Sequence, residues 1–149
     1  MSSQNRAALF ESLTAEVRKF IAGAILFNDK VASDVGLNVT DLQFLNVLEL
    51  QGSATPSDFA RWSGLTSGGV TVVLDRLEKA GYIKRQPNPE DRRSTIIRGV
   101  APRMRKLREI YQAKGDLLAG VLAKYNDRQL KLILDFLERT NGADTITGE

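Results

Sequence analysis

The stretch 55–98 constrains the fold more than any other, because it sets two short, separately capped helices and a hairpin in immediate succession. Thr55 can cap a helix, Pro56 suits the first helical position, and Asp58 stands where a capping box places its acid. The short helix that follows carries Phe59, Ala60 and Trp62 and stops at Gly64. Leu65 bridges a tight turn, Thr66 or Ser67 caps the next helix, and that helix is expected over 67–80 with Gly81 as its terminator. Val70, Val73, Leu74 and Leu77 follow the i, i+3, i+4, i+7 rule and belong to a core. Two short helices joined by a glycine turn make a helix-turn-helix. Residues 82–86 and 95–98 then read as antiparallel strands around a loop at 87–94, so a hairpin wing follows directly.

Long helices flank this module. Leu9, Leu13, Val17, Phe20, Ala24, Phe27 and Val31 trace one apolar stripe, widened by Ile25 and Leu26, with Gly36 as the exit. Thr40-Asp41 looks like the start of a further helix bearing Leu42, Phe44, Leu45, Val47 and Leu48, with Gly52 as its stop. Downstream, a helix starting near Pro102 presents Met104, Leu107, Ile110 and Tyr111, then Leu117, Leu118, Val121 and Leu122 towards Tyr125. Asn126-Asp127 breaks it and caps a last helix with Leu130, Ile133, Leu134 and Leu137; the polar tail 141–149 is expected to fray. The fold class is therefore mainly α with a small β-hairpin wing. The organisation is one domain, 1–149, in which 40–100 form the winged module and 1–36 and 101–142 the flanking helices.

The chain has neither cysteine nor histidine. That excludes disulfides, thiol switches, zinc sites of the usual kind and Ser-His or Cys-His nucleophiles. No acidic pair stands out and no Gly-rich phosphate loop occurs, so neither an enzyme nor a cofactor or metal is expected. The N-terminal MSSQNRAALFESL lacks the layout of a secretory signal, and no apolar run is long enough for a membrane span, which reads as a cytoplasmic protein without a membrane partner. The Asn38-Val39-Thr40 glycosylation pattern has no meaning there. Net charge is +3, but residues 61–114 hold 13 Lys/Arg against 5 Asp/Glu, a local +8 beside a balance of −5 elsewhere. A basic middle suits a polyanion; a merely solvated basic face is the plainer alternative.

The run Leu65-Thr66-Ser67-Gly68-Gly69-Val70-Thr71, continued through Leu74-Asp75-Arg76-Leu77-Glu78-Lys79-Ala80-Gly81-Tyr82-Ile83, resembles the recognition helix of the MarR family. The loop from Pro87 with Asp91-Arg92-Arg93-Ser94 resembles that family's wing, and the order of helices matches over essentially the whole chain. The resemblance implies a homodimeric transcriptional regulator, a repressor in the main reading, whose terminal helices interlock with a second copy and whose winged modules sit on a pseudo-palindromic duplex DNA site. It places Ser67, Gly68, Thr71 and Val72 on the groove-facing side of the recognition helix and Arg92 and Arg93 at the wing tip in the minor groove. Asp91 would brace the wing, with Arg76 as its partner. A small aromatic or phenolic effector is a further partner the family takes. Phe20, Phe27, Trp62 and Tyr111 could line its cleft, though core packing explains each equally well.

Two departures stand out. Val72 occupies a position where many members have Arg, which removes a guanine contact and favours thymine methyls. Gly99, Val100, Ala101 and Pro102 replace the usual Leu-Thr-acidic junction after the wing. Isolated, Arg92 and Arg93 would be a solvated hairpin tip, and Ser67 and Thr71 ordinary helix polarity; their adjacency favours DNA. Lys84, Arg85 and Arg98 are equally compatible with phosphate contact and with solvated strand faces. The rival functions are an architectural, nonspecific DNA-binding protein and a winged-helix module that binds protein.

Overall fold

A computed structural model describes residues 3–142. The order of elements is α1 (Ser3–Val35), α2 (Val39–Gln51), α3 (Pro56–Ser63), α4 (Ser67–Lys79), β1 (Ile83–Pro87), β2 (Thr95–Gly99), α5 (Ala101–Leu122) and α6 (Asp127–Gly142). The chain divides into two compact units, one up to Gln51 and one from Gly52.

The first unit contains α1 and α2. Gly36 ends α1 in the left-handed conformation (φ +70°), and Leu37 donates its amide back to the Ala32 carbonyl at 2.9 Å. The start of α2 lies before the expected Thr40-Asp41: Asn38 is the cap, its Oδ1 accepting from the Asp41 amide at 2.8 Å. The side chains of Val31, Ala32, Leu42, Phe44, Leu45 and Leu48 are buried. The stripe on α1 is buried only at its C-terminal end, and Leu9, Leu13, Val17, Phe20, Ile25 and Leu26 are exposed.

The second unit is built around the hairpin. β1 and β2 pair antiparallel in the register Ile83↔Gly99 to Pro87↔Thr95, one residue further along each strand than expected, with Tyr82 left outside. A single-residue bridge adds Ala54 to β2, its amide and carbonyl exchanging hydrogen bonds with Ile97 at 3.2 and 2.7 Å. This bridge fixes the residue just before the α3 cap onto the wing. Phe59, Val70, Val73, Leu74, Leu77, Ile83, Ile97, Met104 and Leu107 form the buried set, with α3 on α4 and both on the hairpin. Trp62 packs edge-on against Phe59 at 5.4 Å between centroids, a packing role.

The unusual junction after the wing has a steric reason. A Cβ on Gly99 would come within 3.0 Å of Met104 Cγ, and Met104 is buried against that bare backbone. Helix α5 ends at Leu122, short of Tyr125, and α6 opens with a reciprocal cap in which Asn126 and Gln129 exchange side-chain-to-amide bonds at 2.9 and 3.0 Å. Leu117, Leu118 and Val121 of α5 and Leu132, Leu134, Phe136 and Leu137 of α6 are exposed. Asn141 is still helical, and the fraying expected of the tail lies, from residue 143, outside the described residues. Among the described residues no helix is long and apolar enough to cross a membrane.

Candidate nucleic-acid interface

The interface begins with local caps. Thr55 accepts from the Asp58 amide at 3.2 Å, and Asp58 Oδ2 accepts from the Thr55 amide at 2.8 Å, which closes the expected capping box. The bond from the Thr55 backbone holds the Asp58 carboxyl below its ordinary value of 3.8; the Thr55 hydroxyl and Arg61 reinforce it, and partial burial opposes it. Gly64 caps α3 at φ +68° and reverses the chain. Thr66 then caps α4, its Oγ1 accepting from the Gly69 amide at 3.1 Å. Of the two expected candidates Thr66 is therefore the cap, and Ser67 is the first helical residue.

This division has a chemical consequence. With Thr66 as cap, the Ser67 hydroxyl makes no hydrogen bond among the described residues and is exposed at the tip of α4. Val70, Val73, Leu74 and Leu77 turn inward as expected, which leaves Ser67, Gly68, Thr71, Val72 and Asp75 on the outward side. Thr71 donates its hydroxyl to the Ser67 carbonyl at 3.0 Å. The first turn of α4 has no acidic side chain, and its amide ends favour an anion.

The wing is closed by its own short polar side chains. Asn88 donates from its amide to the Ser94 carbonyl at 3.1 Å and from Nδ2 to Ser94 Oγ at 2.8 Å. Asp91 Oδ1 accepts from the Arg93 amide at 3.0 Å, and the Asp91 carbonyl accepts from Ser94 at 2.9 Å. Asp91 thus braces the wing from within its own loop. The Arg92 and Arg93 side chains stand exposed at this apex with no acidic partner among the described residues. A loop held rigid before binding loses less entropy when it docks.

The tie between α4 and the hairpin belongs to Arg85. Its guanidinium donates to Asp75 Oδ1 at 2.6 Å and to Glu78 Oε2, and its backbone amide donates to Glu78 Oε1 at 3.1 Å. Partial burial works against the charge of Arg85, but the bonds to Asp75 and Glu78 outweigh it and raise its pKa. Arg85 is consequently engaged by both acids of α4. Lys84 and Arg98 face each other across the strands, both exposed. Sequence reasoning does not single out Arg85 or Asn88 as supports of the interface; for Asn88 the Asx-turn preference is a usable signal. Among the described residues no cluster of acids could hold a metal ion.

Comparison with known proteins agrees with this geometry. The model of the MarR family matches residues 37–95. The chain is 30% identical over 138 residues to the HTH-type transcriptional regulator YcgE of Bacillus subtilis, covering 92% of this chain and 90% of that protein. It is 33% identical over 81 residues to YfiV of the same organism, covering 54% of this chain and 50% of that one. Among solved structures, the transcriptional regulator Tm0710 of Thermotoga maritima superposes with a TM-score of 0.64 at 20% identity, over 92% of this chain and 96% of that one. The apo form of MarR from E. coli gives 0.59 at 18% identity, over 86% and 95%. The two structural likenesses bear on the fold, which is the winged helix-turn-helix with flanking helices. With a helix-turn-helix, a wing and a full-length relative in agreement, the chain belongs to the MarR family and is a DNA-binding transcriptional regulator, not an enzyme.

Proposed function

We propose that the protein acts as a cytoplasmic homodimer that represses by occupying a pseudo-palindromic duplex site and is released by a small aromatic or phenolic effector. In this reading α4 enters the major groove with Ser67, Gly68, Thr71 and Val72, while Arg92 and Arg93 enter the flanking minor groove. Asp91 supports the wing from within it, and Arg76, next to Asp75 on α4, supports it from the helix. The observation that carries the reading is a pair of exposed arginines, without acidic partners among the described residues, on an internally braced wing beside an open helix N-terminus. A narrow minor groove concentrates negative potential and attracts such a side chain. A mutant E. coli MarR has been solved with operator DNA, and it shares this fold at a TM-score of 0.55.

Dimerisation is supported by the apolar residues left uncovered: Phe20 is 71% exposed, Leu26 70% and Leu117 69%. A two-fold pairing of residues 1–36 and 101–142 buries such surface and matches a palindromic site. The effector rests on family membership alone, and no residue is assigned to it. Repression follows from occupancy, as the name of the repressor YetL of B. subtilis, 25% identical over 89 residues, also suggests.

The test is titration of labelled duplex by the protein and by an Arg92→Ala/Arg93→Ala variant across a salt series. The variant is expected to bind more weakly, with a log–log salt slope smaller by about 0.9 for each phosphate it no longer neutralises. Unchanged affinity and slope would overturn the wing assignment. Equal affinity for selected and random duplex would favour the architectural rival, and a solely monomeric mass in light scattering would refute the dimer.

A further inference from the structure

On the outward side of α4, Val72 is an apolar residue that the fold does not explain. Val72 is 58% exposed, and a β-branched apolar side chain there stabilises the helix less than Glu, Lys or Ala would. Its neighbours on that side offer few polar groups to a base edge. The Thr71 hydroxyl proton is committed to the Ser67 carbonyl at 3.0 Å, so towards a base Thr71 presents its methyl and an oxygen that can only accept. Asp75, one turn on, has its Oδ1 held by Arg85 at 2.6 Å, which offsets its charge and ties it to the hairpin. Among the described residues the uncommitted side-chain donor on this side is the Ser67 hydroxyl, beside the bare backbone of Gly68 and two apolar branches.

We propose that Val72, with the Thr71 methyl, reads the C5-methyl group of thymine in the major groove, so that half-site preference rests on methyl contact rather than bidentate hydrogen bonding. The proposal rests on the DNA-binding reading above and names the sequence feature it selects. In the major groove only thymine, among the four bases, presents a methyl group. Burying one methyl against an apolar side chain is worth about a fourfold change in affinity.

The experiment uses the full chain and a duplex that the chain itself enriches from a random pool. That duplex is synthesised twice, once with thymine and once with uracil throughout, which deletes every C5-methyl while keeping the Watson–Crick edges. The wild-type protein is expected to bind the uracil form at least about fourfold more weakly. In Val72→Ala the thymine–uracil difference shrinks, and in Val72→Ile it is retained. Val72 is exposed, so neither variant disturbs the core; circular dichroism melts confirm their folding. Tight binding of the selected duplex with no thymine–uracil difference overturns this proposal and leaves the DNA-binding reading intact. A difference that persists undiminished in Val72→Ala also overturns it, because uracil would then act through duplex shape. Failure to bind the thymine form at all removes both readings together.

Discussion

Replacing Gly68 with alanine separates what the fold requires of α4 from what a ligand requires. Gly68 is the second residue of the helix and has no positive φ, so the backbone does not need a glycine. The nearest atom to an added Cβ is Thr66 Oγ1 at 4.0 Å, an ordinary contact. Alanine is favoured over glycine by about 0.8–1.0 kcal/mol within a helix, somewhat less in the first turn. A gain of about 0.5–1 kcal/mol corresponds to roughly 1–4 °C in Tm for a chain of this size. DNA binding is expected to move the other way. If the duplex approaches the Gly68 backbone closely, a methyl in that gap costs on the order of 1–3 kcal/mol, about 5- to 150-fold in Kd. The salt slope stays the same, because no charge is removed. Thermal melts and fluorescence anisotropy on a selected duplex measure the two effects. A higher Tm with unchanged Kd would refute close approach at Gly68, and a lower Tm would refute the reading of the site as sterically open. Gly69 is more closely surrounded: its Cβ would meet Thr66 Oγ1 at 3.4 Å and Leu65 Cβ at 3.5 Å, van der Waals contacts with the cap itself.

The capping box and the helix–wing tie give two more expectations. Asp58→Ala removes a reciprocal cap and is expected to cost about 1 kcal/mol at neutral pH, read by urea denaturation. Because the folded carboxyl titrates below 3.8, its stabilisation is present above that pH and is lost as pH falls through the lower folded value. The gap between wild type and Asp58→Ala should therefore hold from pH 8 to about 5 and close below about 4; a gap that widens on acidification contradicts the assignment. Arg85→Met unpairs Asp75 and Glu78, both partly exposed, so the loss of stability is modest, about 1 kcal/mol. Its effect on DNA affinity is larger than on stability, since an uncompensated Asp75 then faces phosphates, and Asp75→Asn in the same background restores binding. Absence of that rescue would show that Arg85 acts otherwise.

The legible parts of this chain are those whose causes lie within a few residues. Thr55, Pro56, Asp58, Gly64 and Gly81 announce helix ends because a cap and its partner are neighbours in sequence, and the inward face of α4 follows from helical spacing alone. The illegible parts depend on partners that only the fold assembles. Arg85 reaches Asp75 and Glu78 ten and seven residues upstream, so no local pattern distinguishes it from Lys84. The Ala54–Ile97 bridge is one residue long and has no periodicity to detect. Gly99 is anomalous in sequence and explained in the fold, where Met104 fills the space its side chain would need. The interface residues form a third class. Core and cap positions such as Phe59, Thr55 and Gly99 are each demanded by something inside the protein. Ser67, Gly68, Val72, Arg92 and Arg93 are demanded by nothing among the described residues: a free hydroxyl, a glycine with open space, an exposed valine and two unpaired guanidiniums. Each is neutral or slightly unfavourable for the folded chain, and all five lie on α4 or on the wing that follows it. Residues whose identity the fold leaves open are where an external partner can set the requirement, and here the requirement is for a small, partly apolar surface flanked by positive charge.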